Sequence, residues 1–211
     1  MTISLTYLFD PLCGWCYGAS PAVQLLGQQA DIQLTLAPTG MFTGSGRTMD
    51  AEFAAYAWSN DQRIQTLAGQ SFTEAYRQQV LGRHGSAFDS ASATLALTAV
   101  ASTNPNLELD ALKNLQEARY VQGRDICNPA VVADVLREIG QGVAADLLLA
   151  NEAALHQTNQ NRLRKAQLLM QSMGVQGVPA LVLHEAAAVR LLPSQLLYGK
   201  REQLLAAVGV S

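Results

Sequence analysis

Long hydrophobic runs are missing from this 211-residue chain. No stretch approaches the ~18 apolar residues that a membrane-spanning helix needs. The opening MTISLTYLFDPLCG also lacks a basic segment, an extended apolar core and a small-residue cleavage site, so no secretory signal is read there. Charge is sparse and nearly balanced. With 14 Lys and Arg against 17 Asp and Glu, a net charge of −3 gives no electrostatic drive toward nucleic acid or a membrane surface. Cysteine is scarce as well, and three residues are too few for a disulfide framework in a chain this long. His84, His156 and His184 are scattered without metal-ligand spacing. There is no internal repeat and no low-complexity segment. What is present is 49% hydrophobic and 15% charged, enough to bury a core as one large or two small globular units, and a cytoplasmic location is expected.

Two of the three cysteines stand close together near the start, in YLFDPLCGWCYGASP, directly behind an apolar run. Residues 3–9 are rich in β-branched and aromatic types and stop at Asp10-Pro11, the pattern of a buried strand ended by a turn. A helical pattern follows from Gly14 to about Ala30, with Pro21 inside it as an expected kink. Ile32, Leu34 and Leu36 then alternate with polar residues as a half-buried strand. Beyond the Gly- and Thr-rich loop PTGMFTGSGRTM, read as a flexible connector, Ala, Leu and Gln recur at helical spacing until about residue 178. Five or six helices are expected there. The clearest opens at CNPAVVADVLREIG, with Asn128 as N-cap and Pro129 in the first turn. Another is expected from near Asn159 to Gly174. Strand patterns return in PALVLHE and AVRLLP, joined by a hairpin turn around Glu185 to Ala187, and KREQLLAAV closes the chain as a helix. Residues 1–40 and 158–211 therefore read as one small α/β domain, into which residues 41–157 insert a helical one.

A metal site at Cys13-Gly14-Trp15-Cys16 would need about four ligands, and no second CxxC or paired histidine exists. Redox chemistry fits better. Cys13 falls where a strand passes into a helix, so its sulfur meets unpaired N–H groups and the positive end of the helix dipole, both of which favour a thiolate. Cys16, three residues on, shares its helix face and can attack a mixed disulfide formed on Cys13. Cys13 is the expected nucleophile and Cys16 the expected resolver.

A strand, a CxxC at a helix start and a late GVPALVL resemble the thioredoxin fold. The helical insertion and the opening FDPLCGWCYGASP narrow the resemblance to the DsbA-like branch, particularly its cytoplasmic members of the FrnE type. The resemblance covers essentially the whole chain. It implies a thiol-disulfide oxidoreductase or isomerase acting on protein or low-molecular-weight disulfides, with no bound cofactor and with glutathione as a possible co-substrate. It also implies that Val178-Pro179 is a cis peptide facing the cysteines and that the Val178 backbone pairs with a bound peptide; Gly14 and Trp15, at the helix start between the cysteines, are read separately as substrate contacts. Sequence alone leaves the isomer of this bond open. One departure is the Gly14-Trp15 dipeptide, which lacks the histidine of DsbA itself, so strong oxidant character does not carry over.

Two other functions compete. A glutathione-dependent isomerase or transferase, like the 2-hydroxychromene-2-carboxylate isomerases and kappa-class glutathione transferases, resembles this architecture too, but would use a serine at position 13 and has no need of Cys16. A non-enzymatic peptide-binding module would tolerate loss of both thiols. Of the remaining residues, Cys127 reads as an apolar staple before Asn128, spaced to touch Val132, and Asp10 as a turn opener with a possible proton-relay role. Phe53, Tyr56 and Phe72 read as packing of the helical part.

Overall fold

The computed structural model describes residues 2–185 and 188–210. Its centre is a four-stranded sheet in the order β2-β1-β3-β4, built from β1 (Ile3–Phe9), β2 (Ile32–Pro38), β3 (Ala180–His184) and β4 (Val189–Leu192). β1 and β2 are parallel, so the chain between them must cross over, whereas β3 runs antiparallel to both its neighbours. The crossover carries the expected kink. Pro21 has no N–H for the Tyr17 carbonyl four residues back. That carbonyl accepts Gln70 Nε2 at 3.2 Å instead, and the helix divides into α1 (Gly14–Gly18) and α2 (Ser20–Gly27).

The all-helical insertion lies between β2 and β3. It contains α3 (Ala51–Ala68), α4 (Glu74–Tyr76) running into a π-helical turn at Arg77–Leu81, α5 (Ala91–Thr103), α6 (Glu108–Tyr120), α7 (Pro129–Glu138), α8 (Gly142–Ala150) and α9 (Ala153–Ser172). α5 is buried on every side from Ala93 to Val100 and packs against α6, α7, α8 and α9. Small Ala and Thr side chains allow those close approaches. α7 begins as expected, with Asn128 Oδ1 accepting the Ala130 N–H at 2.9 Å. α9 starts six residues before the expected position, and residue 157 lies inside it. Asn159 has the chemistry of a cap, but its buried side chain accepts the Thr98 hydroxyl at 2.8 Å and leaves the helix uninterrupted.

β1 ends in an unbroken apolar run, Tyr7-Leu8-Phe9, because both faces of the sheet are covered there. Leu5, Tyr7 and Phe9 enter the main core shared with α2, α3 and α5–α8. Leu8, Ala180 and Val182 face the other way, onto Ala166, Leu169, Met170 and Met173. The hairpin between β3 and β4 has mutual Glu185 and Ala188 backbone hydrogen bonds; its tip, residues 186–187, lies outside the described residues. α10 (Arg201–Val208) ends the chain by burying Leu204 and Val208.

Candidate functional site

The antiparallel register pairs Leu8 with Ala180. The chain leaving β1 toward Cys13 therefore passes the chain entering β3, and residues 165 apart in sequence become neighbours. Val178-Pro179 is a cis peptide bond, in agreement with the family resemblance. The Val178 carbonyl lies 3.5 Å from Cys13 Sγ. Cys13 is the N-cap of α1, and its sulfur accepts the Cys16 N–H at 3.4 Å. A sulfur in that position has the place usually taken by a serine or aspartate oxygen, and the donated N–H stabilises negative charge on it.

The two thiols have different surroundings. All three cysteines are free. Cys13 keeps 7% of its surface exposed, while Cys16 keeps 1%. Burial pushes the Cys16 thiol well above its ordinary range, followed by its hydrogen bond to Cys13 and the charge of Cys13; the Asp10 backbone N–H opposes this, and the Asp10 carboxylate adds to it. A thiol that can be reached at the surface and a second that is kept protonated inside suit successive roles in disulfide exchange.

Asp10 has no exposed surface. Its Oδ1 accepts the Leu12 N–H at 2.9 Å, and its Oδ2 accepts the Phe42 N–H at 3.1 Å and the Ser90 hydroxyl at 2.8 Å. These bonds tie the end of β1 to the Gly- and Thr-rich loop. That loop is not the free connector its composition suggests. It is pinned to its surroundings, with Met49 N–H donating to the Ser86 carbonyl and Phe88 N–H to the Arg47 carbonyl. Burial raises the Asp10 carboxyl, against the three hydrogen bonds.

Three tyrosines hold the turn around the cysteines. Tyr7 donates to the Cys16 carbonyl at 3.3 Å, Tyr120 to the Leu12 carbonyl at 2.8 Å and Tyr198 to the Trp15 carbonyl at 2.9 Å. Tyr198 also meets the Trp15 ring edge-on, with centroids 5.6 Å apart. Trp15, expected at the substrate face, is thus half-buried and fastened to the segment before α10. None of the tyrosines carries a local sequence pattern; each is recruited from its own element by the fold.

The remaining sequence candidates fall away from the thiols or into packing. Cys127 is half-buried against the main core, and burial raises its thiol. His184 bonds Thr6 Oγ1 at 2.8 Å and His156 bonds Asn151 Oδ1 at 2.7 Å. Phe72 and Phe53 pack on other rings as expected. Tyr56 does not: it is 66% exposed, because the inward face of α3 is set by Asp61 and Ile64 and position 56 points elsewhere. Among the described residues, no three His, Cys, Asp or Glu side chains group as a metal site, and no helix is long and apolar enough to cross a membrane.

The DSBA-like thioredoxin domain matches residues 5–194. No curated protein sequence matches the chain. Among solved structures, the cytosolic disulfide reductase DsbM from Pseudomonas aeruginosa is 29% identical with a TM-score of 0.87, covering 97% of this chain and 96% of its own. The same reductase with GSH superposes with a TM-score of 0.85 at 28% identity over the same shares. A protein from Nitrosomonas europaea, 20% identical with a TM-score of 0.79 over 98% of this chain and 97% of its own, shares the fold.

Proposed function

The chain belongs to the DSBA-like thioredoxin domain family, a family of thiol-disulfide oxidoreductases, and from that premise we propose that it is a cytoplasmic reductase of protein or low-molecular-weight disulfides, recharged by glutathione. The observation that carries this reading is the position of the Cys13 sulfur, which caps α1 through the Cys16 N–H and faces the Val178 carbonyl across the sheet. The reducing direction and the glutathione link draw support from the 29%-identical DsbM structure and its GSH form.

In the proposed cycle, the Cys13 thiolate attacks one sulfur of a substrate disulfide. The new Cys13–S–S–R bond forms as the S–S bond of the substrate breaks, and the first substrate sulfur leaves as a thiolate. Cys16 then gives its proton to that first thiolate and attacks the Cys13 sulfur; the bond from Cys13 to the substrate sulfur breaks, the second substrate sulfur leaves as a thiolate, and Cys13–Cys16 is left as the disulfide. Two electrons have passed to the substrate. Two molecules of a reduced thiol such as glutathione return them and leave as their own disulfide. Val178 and Pro179 supply the backbone edge against which a substrate strand aligns, and Gly14 and Trp15 form the adjoining surface.

The test is intact-mass analysis of single variants after exposure to oxidised glutathione, with insulin reduction in parallel. Cys16→Ser is expected to accumulate one mixed disulfide, on Cys13, while Cys13→Ser stays unmodified and both fail to reduce insulin. An adduct confined to Cys13→Ser would reverse the roles. Full insulin reduction by the double variant would remove the redox reading altogether.

A further inference from the structure

Gly14 faces α3 of the helical insertion and has no room for a side chain. A Cβ on it would lie 2.6 Å from Asp61 Oδ1 and 3.3 Å from Ile64 Cδ1. Asp61 is 4% exposed, in the middle of α3. Its Oδ2 accepts the Tyr76 hydroxyl at 3.0 Å. Its Oδ1, the oxygen turned to Gly14, accepts no hydrogen bond among the described residues. A buried carboxylate with one oxygen open beside the residue that follows Cys13 is not required by the chemistry of the two thiols. Such a group must either stay protonated or place a negative charge close to the developing thiolate.

We propose that Asp61 is a positioning residue of the thiol site whose protonation state controls how readily Cys13 ionises, so that reactivity at Cys13 is restrained once Asp61 is charged. The inference rests on the reading of Cys13 as the nucleophile. Covalent geometry from Oδ1 through Gly14 to Cys13 Sγ bounds their separation at roughly 10 Å, a range over which two like charges in a protein interior still oppose each other measurably.

The groups that face Asp61 and Cys13 leave Asp61 as the one with an unoccupied oxygen. Tyr76 from α4 donates to Asp61, and the Arg119 guanidinium from α6 lies behind, 5.6 Å from the Tyr76 ring centre and 5.7 Å from that of Tyr120. Tyr120 gives its hydroxyl to Leu12, Tyr7 to Cys16 and Tyr198 to Trp15, and burial raises all three phenols, so they stay neutral near pH 7. Asp10 acts on Cys16 and has both oxygens occupied. Burial pushes Asp61 up to about 7, against the Tyr76 hydrogen bond and the Arg119 charge. Both of its forms are therefore populated near neutrality.

The experiment follows Cys13 ionisation by thiolate absorbance and by iodoacetamide alkylation, with the labelled cysteine located by mass spectrometry, in wild type, Asp61→Asn and Tyr76→Phe. Asparagine keeps the shape and an acceptor for Tyr76. Its Cys13 transition is expected to move down by roughly half a unit to one unit, with alkylation about threefold to tenfold faster above neutrality. At mildly acidic pH, where wild-type Asp61 holds its proton, the two rates are expected to converge. Tyr76→Phe removes a bond that lowers Asp61 and should move that convergence point to higher pH. Superimposed wild-type and Asp61→Asn profiles, or a rate difference independent of pH, would overturn the inference. Labelling at Cys16 in place of Cys13 in every protein would instead overturn the assignment of the nucleophile.

Discussion

Two arginines in the helical part, Arg162 half-buried and Arg119 fully buried, contrast sharply. Arg162 of α9 pairs with Glu108 at the start of α6, bonds Thr98 Oγ1 at 3.1 Å and reaches the Leu36 carbonyl of β2 at 3.3 Å. Thr98 in turn donates to Asn159. This cluster joins α5, α6, α9 and β2 with charge matched to charge. Arg119, only 1% exposed, has no carboxylate at ion-pair distance among the described residues, and its Nε has no partner among them. It is surrounded by the rings of Tyr76, Phe88 and Tyr120, whose faces attract a cation without neutralising it. The nearby carboxylate, Asp61, bonds Tyr76 and turns its other oxygen toward Gly14. The paired arginine clamps four elements together, whereas the unpaired one and the half-paired Asp61 stand behind the cysteine turn.

Breaking the matched cluster is the most severe test of that contrast. Arg162→Ala leaves the Glu108 carboxyl buried without its counter-charge. A loss of roughly 3 kcal/mol in folding free energy is expected, at the lower end for a buried pair because Arg162 retains some exposure. Urea unfolding measures it. The Cys13 alkylation profile of the folded variant should be that of wild type; a displaced profile would mean that the two clusters form one network.

The unmatched cluster predicts a pH dependence of stability with a definite sign. Asp61 has its folded pKa raised to about 7, above an unfolded value near ~3.9. The native state therefore binds the proton more tightly than the unfolded chain between those values. The associated stability is fully present below about pH 4 and is lost as pH rises through about 7. Asp61→Asn has no proton to lose. Its stability relative to wild type should improve steadily from about pH 4 to about pH 7.5 in parallel urea titrations. Since Asp10 and Glu108 are also raised by burial, only the difference between the two proteins isolates Asp61. A difference that stays flat with pH would mean that Asp61 binds its proton equally well in the folded and the unfolded chain.

How far the sequence reveals this arrangement follows the range of the interactions. β1, β2, the Asn128 cap and the cysteine pair at the start of α1 are encoded within a few residues of where they act, and local periodicity identifies them. The cis Val178-Pro179 loop follows from family resemblance, since a Gly-Val-Pro segment fits either isomer. The start of α9 escapes a local reading because Asn159 has the chemistry of a cap but commits its side chain to Thr98, 61 residues away. The three tyrosines, Asp61 and Arg119 carry no motif. Tyr7 comes from β1, Tyr198 from the segment before α10, Asp61 from α3 and Tyr120 and Arg119 from α6, so they come together only once those elements have packed, and nothing in their spacing announces them.

The smallest effect is the most discriminating, because its sign is at stake. Gly14 lies in a helix without a positive φ, and alanine at such a position ordinarily stabilises by about 0.5–1 kcal/mol. Gly142 opens α8, and a Cβ added to it would meet nothing within 4 Å, so it should show that ordinary gain when changed to alanine. Gly14→Ala should show the reverse, a net loss of about 1 kcal/mol, since Asp61 Oδ1 stands 2.6 Å from the new methyl group and Tyr76 holds the carboxylate there. Removing that carboxylate should restore the gain. In the Asp61→Ala background, Gly14→Ala should become neutral or stabilising, giving a coupling of about 1–2 kcal/mol in the double-mutant cycle. An additive cycle would mean that Ile64, whose Cδ1 lies 3.3 Å from the same point, sets the limit on residue 14, and that the thiol site owes its glycine to packing and not to the charged group behind it.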